Sequence, residues 1–268
     1  MLRSVRVVLV LCVALLLMAC GGGAPSANGF TRPVRGGGAV SFGRQDMTPS
    51  RWRVRSNLHI QLQVQQEGRS KTVGGGVDRL YDVEALGPER DGSARAKVDI
   101  RTWNDSSADS STPRAGRSYI VERVGPQLRF NPIAGGPISP GEQRELAKLH
   151  RSFGKATDTE LSLAGRSLRP GDMVPFVQES EGAVVQGRIR FLGMTRLGGR
   201  PVAEFEFVGV ASQVQEGLSV RADLNGVLLI DPPSSQTLLM DIEGPANAHG
   251  GNLHASGRSH LIASAAPL

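Results

Sequence analysis

The sequence predicts a mainly β protein, an extended curved antiparallel sheet or half-barrel with one or few short helices. Three observations lead there. Four separate segments alternate apolar and polar residues with period two, the mark of half-buried antiparallel strands. Gly- and Pro-rich turns separate them, as in "MTRLGGRP". One segment, "SPGEQRELAKLHRSFG", breaks the alternation with helical spacing.

The chain opens with Arg3 and Arg6 and no acid, followed by an uncharged apolar run over residues 7–19. At about 1.5 Å per helical residue the run spans roughly 20 Å, short of the roughly 30 Å hydrocarbon core. A basic start, a short apolar run and small residues after it read as a secretory signal peptide over 1–19, with cleavage after Ala19. The chain has two cysteines, Cys12 and Cys20. Cys12 leaves with the signal, and Cys20 has no later cysteine to pair with. A lone thiol is a liability in an oxidising compartment.

Leu17, Met18, Ala19 and Cys20 resemble the lipobox of bacterial lipoproteins: an aliphatic residue, a tolerant position, Ala or Gly, then cysteine. The resemblance implies a diacylglyceryl group on the Cys20 sulfur, cleavage before Cys20 and acylation of the new amine. Cys20 is then the lipid-attachment residue and membrane lipid a partner. Two or three acyl chains, at about 0.8 kcal/mol per buried CH₂, suffice for stable anchoring. In that family an Asp after the cysteine signals retention at the inner membrane. Here Gly21 stands there, so the resemblance implies the outer membrane of a bacterial envelope, with the domain periplasmic or at the cell surface. The competing reading is an ordinary signal peptide, or a core helix, with an incidental cysteine.

Residues 20–46 carry the lipidated cysteine and a Gly/Ala/Ser/Pro-rich stretch, "GGGAPSANG" and "RGGGAVSFG", expected to be a flexible tether. About 26 such residues reach roughly 25–30 Å root-mean-square. Residues 47–268 are expected to form a single β-rich domain. A chain of that length buries a core without disulfides.

In "WRVRSNLHIQLQV", Trp52, Val54, Leu58, Ile60, Leu62 and Val64 share one face. In "ARAKVDIRTW", Ala94, Ala96, Val98 and Ile100 oppose Arg95, Lys97, Asp99 and Arg101. "AVVQGRIRFLG" and "PVAEFEFVGVA" repeat the pattern, and Gly198 with Gly199 supplies the hairpin turn between them. Along the last of these, Ala203, Phe205, Phe207, Gly209 and Ala211 share a face, while Glu204 and Glu206 read as its solvent side. Weaker strands are expected near 77–86, 118–124, 127–131, 174–179, 217–224, 227–231, 237–243 and 253–263. The helix has Ser139 as N-cap, Pro140 at its first position and Glu142 completing a capping box. Leu146, Leu149 and Phe153 form its apolar face and Gly154 its stop. "LRPGDMVPF" reads as a Pro-Gly type II turn into a strand.

This order of elements resembles uncharacterised bacterial envelope lipoproteins and, more distantly, half-barrel lipid-handling proteins of the LolA and LppX types. The resemblance implies a curved sheet around an apolar cavity closed by helices, and it carries no residue-level motif. A closed cavity lined by small residues such as Ala94, Ala96 and Ala203 would favour a bound apolar ligand. A helix over the Phe205 face, with Leu146, Leu149 and Phe153 inward, would be its lid.

The formal net charge is +6, falling to +4 without Arg3 and Arg6. Of 31 basic residues only four are lysine, and they alternate with acids, as in "RAKVDIR", rather than cluster. Nucleic acid is therefore not an expected partner. None of His59, His150, His249, His254 and His260 has a zinc-ligand spacing. The last three, in "NAHGGNLHASGRSH", read as a solvated loop and strand end, and His150 sits near a helix C-terminus. No G-x-S-x-G elbow occurs. The polar run over 104–112 lacks a calcium-loop pattern and reads as a hairpin loop. "VGGGV" at 73–77 reads as a turn. No cofactor, metal or catalytic set is expected, and the protein is read as a non-enzyme. The expected function is an anchored envelope lipoprotein binding an apolar ligand or lipid in its sheet. The alternative is a structural or assembly module that binds an envelope protein.

Overall fold

The computed structural model describes residues 29–43, 51–66, 69–88, 94–105, 115–124, 127–133, 136–140, 142–143, 146, 162–180, 183–215, 218–251 and 253–268. The expected signal peptide, Cys20, His150, Leu149, Phe153 and most of the 104–112 run lie outside them. The strands are β1 (Val40–Ser41), β2 (Arg51–Gln66), β3 (Arg69–Pro88), β4 (Ala94–Asp105), β5 (Ser118–Val124), β6 (Gln127–Pro132) and β7 (Ser167–Leu168). They continue with β8 (Met173–Ser180), β9 (Ala183–Leu197), β10 (Arg200–Gln215), β11 (Leu218–Ile230), β12 (Thr237–Gly250) and β13 (Leu253–Pro267).

The protein is mainly β. Eleven strands hydrogen-bond in the order β6-β5-β4-β3-β2-β13-β12-β11-β10-β9-β8, and β1 pairs with β7 separately. The order has two ends, β6 and β8, so the sheet is not a closed barrel. From β3 to β6 and from β8 to β12, successive strands pair antiparallel. Short turns make such consecutive pairing the least costly connection. The chain groups into two compact units, and β2, β3 and β13 contribute residues to both. Unit 1 is residues 1–45, 58–75 and 156–262; unit 2 is 46–57, 76–155 and 263–268.

Period-two alternation places the strands well. On β2, Trp52, Leu62 and Val64 are buried while Arg53, Arg55, Gln61 and Gln63 are exposed. Gly198 and Gly199, with φ of 55° and 85°, make the two-residue turn that sets Leu197 opposite Arg200. The Asp172 amide donates to the Arg169 carbonyl at 2.9 Å, closing the Pro170–Gly171 turn.

Two expectations about glycines need correction. Residues 73–77 are no turn but lie inside β3, since extended backbone is as open to glycine as a turn. The separate strands expected at 217–224 and 227–231 are one strand, β11. Gly226 joins them within the ladder, paired with Ile242. A Cβ there would lie against the Asp241 carbonyl oxygen and 2.7 Å from the Ile242 Cα. The pairing is closer than any other residue permits.

In unit 2 the core is Tyr81, Val98, Ile100, Trp103, Tyr119, Val121 and Leu146, with Val54, Val83, Phe130 and Ile138 packed against it. Strict alternation would put Ile100 and Trp103 on opposite faces. A bulge resolves this: Tyr81 pairs with Ile100 and Leu80 with Thr102, so Arg101 is an extra residue on β4. Pro140, Glu142, Gln143 and Leu146 are helical. The capping box is formed, with the Glu142 amide donating to Ser139 Oγ at 3.1 Å and the Ser139 amide to Glu142 Oε2 at 3.4 Å. The expected lid over the Phe205 face is corrected here, because Leu146 packs into the Tyr81–Tyr119 core. Among the described residues no helix is long and apolar enough to cross a membrane.

Candidate functional site

β10 presents Ala203, Phe205, Phe207, Gly209 and Ala211 to the interior of unit 1, all buried. Successive strand residues face opposite ways, so Glu204 and Glu206 point outward. They are nevertheless buried, at 7% and 4% exposure. Their reading as a solvent face is wrong, because residues 29–43 cover them.

The contacts follow the chain. The amides of Thr31 and Arg32 donate to Glu206 Oε1 at 2.7 and 3.1 Å, and Arg190 donates to Glu206 Oε2 at 2.7 Å. Arg190 also donates to the Arg32 carbonyl at 2.6 Å and stacks over Phe30. Arg35 pairs with Glu204 at 2.6 Å, and its amide donates to the Leu192 carbonyl at 2.7 Å. That carbonyl is turned out by a second bulge, where Leu192 is extra on β9 between the pairs Gly193–Glu204 and Phe191–Phe205. Gly193 has φ of 126°, and a Cβ there would come within 3.1 Å of the Arg35 Cβ. Bulge and glycine together make the seat for Arg35.

The segment then pairs as β1 with β7 and inserts Phe42, which is 2% exposed. Phe42 meets Phe191 edge-on at 6.1 Å and Phe205 at 5.7 Å, and those two rings lie 5.2 Å apart. The Gly43 amide donates to the Pro232 carbonyl at 2.8 Å, and Ser235 Oγ donates to the Gly43 carbonyl at 2.7 Å. Residues 31–35 touch the Glu204/Glu206 side of β10 and Phe42 the Phe205 side. The segment therefore passes from one face of the strand to the other as a strap. Sequence reasoning placed it within the tether; its signals are isolated Phe30 and Phe42 and paired Arg32 and Arg35 in Gly-rich sequence.

Burial alone would raise the Glu206 carboxyl. The Thr31 amide, the Arg190 guanidinium and the Arg32 amide overcome this and hold it below the ordinary glutamate range. Beside the strap lies a cleft of about 780 Å³, whose lining includes Gly29, Thr31, Glu206, Val210, Arg221 and Asn225. Its walls mix charged, amide and small apolar groups, which suits a polar segment of chain better than a wholly apolar guest.

Two further buried carboxylates are bound by arginine in unit 2. Asp82 accepts from Arg53 at 2.8 and 3.1 Å and from Arg101 at 3.0 Å. The hydrogen bond from Arg53 outweighs burial in holding its carboxyl below the usual range, with Arg101 assisting. Here the β4 bulge does double work, since Arg101 is the bulged residue. Glu142, the capping-box residue, also accepts from the Tyr119 hydroxyl and from Arg117, the latter at 3.1 Å. Burial first, and then the Glu142 carboxylate, push the Tyr119 hydroxyl far up. These groups are saturated by neighbours and have the chemistry of structural clamps.

The histidines are dispersed. His59 is exposed on β2. His249 and His254 are not in a loop but on β12 and β13, exposed, in a cleft of about 320 Å³ with Gln63, Gln65, Asn247 and Ser256. His260 on β13 meets Asp241 at 2.7 Å. Among the described residues no group of three or more His, Cys, Asp or Glu could hold a metal ion.

No protein-family model and no curated protein matches the chain. Among solved structures, a DUF1329 family protein from Desulfovibrio piger matches with a TM-score of 0.16 and 7% identity, over 82% of this chain and 85% of that one. A likeness of that size bears on neither site nor function.

Proposed function

We propose that this protein is a non-catalytic lipoprotein of the bacterial cell envelope, anchored through acyl chains on Cys20, that acts as an assembly module for a protein partner. Gly21 after the cysteine favours the outer membrane. The choice of partner rests on the Phe205 face of β10. Ala203, Phe205 and Ala211 are fully buried, and Phe42 lies against Phe191 and Phe205 where a guest would have to sit. A face already filled by the chain's own aromatic ring argues against a stored apolar ligand there.

Binding of an apolar ligand or lipid is the second reading, and a different observation favours it. Ala222 opposes Ala246 and Val220 opposes Ala248 across β11 and β12, all buried. Small side chains on neighbouring strands leave depth above a sheet.

Two measurements test these readings. Metabolic labelling with a fatty-acid analogue should mark the wild type and not Cys20→Ser, which should also leave the membrane fraction; label persisting in Cys20→Ser would remove the anchor assignment. Organic extraction of the purified protein and mass spectrometry separates the partner classes. Stoichiometric internal lipid beyond the Cys20 chains supports the second reading, and its absence the first. In a filled layer Ala203→Leu should cost about 1–3 kcal/mol from overpacking.

A further inference from the structure

We infer that the strap shortens the membrane tether, converting a long spacer into a short leash that keeps the cleft beside Gly29 near the bilayer surface. The inference rests on the proposed anchoring at Cys20. Composition alone makes residues 20–46 a spacer, but at Gly29 the chain is already against β10. From there residues 29–43 are held on β9 and β10 by Glu204, Glu206, Arg190 and the Leu192 carbonyl, and finally by Phe42 and Gly43.

Covalent length sets the consequence. Nine peptide steps separate Cys20 from Gly29, so their Cα atoms lie at most roughly 30 Å apart whatever path the chain takes. With the strap released, the first held residue would be beyond Gly43, and the same limit would rise to roughly 80 Å. Gly29 itself lines the cleft, together with Val208, Arg221, Asp223 and Asn225. A Cβ on Gly29 would lie 2.6 Å from the Val208 Cγ1, so the chain enters the body pressed onto the outer face of β10. Through Gly29 the cleft is thus kept within about that distance of the anchor.

The strap is also a latch. Its polar contacts converge on two carboxylates of one strand, so neutralising both removes the acceptor charge that holds Thr31, Arg32 and Arg35 together. What then remains on the outer face includes the Arg35 amide on the Leu192 carbonyl, Phe30 against Arg190 and Arg190 on the Arg32 carbonyl, so the hold on residues 30–35 is weakened.

The test uses the full-length lipidated protein in vesicles. Cys12 leaves with the signal and Cys20 is acylated, so Asn225→Cys supplies one free thiol at the exposed wall of the cleft. Energy transfer from a dye there to an acceptor lipid reports distance from the bilayer. Inserting twenty Gly/Ser residues between Asn28 and Gly29 touches no described contact and raises the covalent limit between Cys20 and Gly29 from roughly 30 to roughly 100 Å. Transfer should fall as the cleft gains freedom to leave the surface. Glu204→Gln with Glu206→Gln should lower it as well, and should speed amide exchange at Thr31, Arg32 and Arg35. Unchanged transfer on insertion, with fatty-acid labelling at Cys20 intact, overturns the leash and leaves the anchor standing. Absent labelling in the wild type removes the anchor and the leash together.

Discussion

Glu206 accepts the backbone amide of Thr31 at 2.7 Å across 175 residues of sequence, and its other oxygen accepts from Arg190 at 2.7 Å. One carboxylate thus ties residues 31 and 32 to both β9 and β10. It satisfies its charge by doing so, which is the condition for burying it at all.

Replacing that carboxylate tests its part in stability. Glu206→Ala leaves Arg190 without its carboxylate, its side chain only 18% exposed, and strands two strap amides. The expected loss is about 3–5 kcal/mol, read from urea unfolding. Glu206→Gln keeps an acceptor and loses the charge, so a smaller loss of about 1–3 kcal/mol is expected. Equal losses would mean that the acceptor geometry contributes nothing.

Acid should weaken the protein in a defined window. Glu206 and Asp82 have folded-state carboxyls below their ordinary values. A carboxyl depressed by folding stabilises the native state fully above its unfolded pKa, and that stability is lost as pH falls through the folded value. Unfolding midpoints should therefore hold steady from neutral pH down to about 5, then fall below about 4, where unfolded Asp and Glu take up protons. Glu206→Gln should flatten part of that fall. A variant as acid-sensitive as the wild type would take Glu206 out of the account.

Phe42 anchors the other end of the strap. It is 2% exposed and touches both Phe191 and Phe205. Phe42→Ala should cost about 3–5 kcal/mol, since a ring-sized void opens in a packed layer. It should also raise amide exchange at Phe42, whose amide donates to the Arg166 carbonyl, and at Gly165, whose amide donates to the Phe42 carbonyl. A loss under about 1 kcal/mol would mean that the layer collapses around the gap.

Gly226 should refuse a methyl group. Its Cβ would meet the Asp241 carbonyl oxygen and the Ile242 backbone, neither of which can swing away. Gly226→Ala should cost at least the 1–3 kcal/mol typical of overpacking. Gly199→Ala, in an open turn with φ of 85°, meets no neighbouring atom and should carry only the backbone penalty, about 1–2 kcal/mol. A Gly226→Ala protein as stable as the wild type would show that β11 and β12 can move apart.

Whereas β1, β7 and the first part of β3 were not readable from the sequence, the period-two strands, the Gly198–Gly199 turn and the Ser139–Glu142 capping box were. Each is a local effect. Period two reports which side of a pleat meets water, and a cap joins residues three apart. The two bulges were not readable, because Arg101 and Leu192 become extra residues only against partners on β3 and β10. The burial of Glu204 and Glu206 was hidden for the same reason. Alternation assigned them correctly to the face away from Phe205 but could not say what covers that face. By itself the sequence determined the β class, the strand rhythm and the amphipathic helix start, since these follow from interactions between near neighbours. Only the tertiary structure decided that residues 29–43 are a strap and that β10 has two buried faces. Contacts such as Arg35 with Glu204 and Phe42 with Phe205 depend on which distant segments meet, and no local pattern of hydrophobicity or charge encodes that meeting.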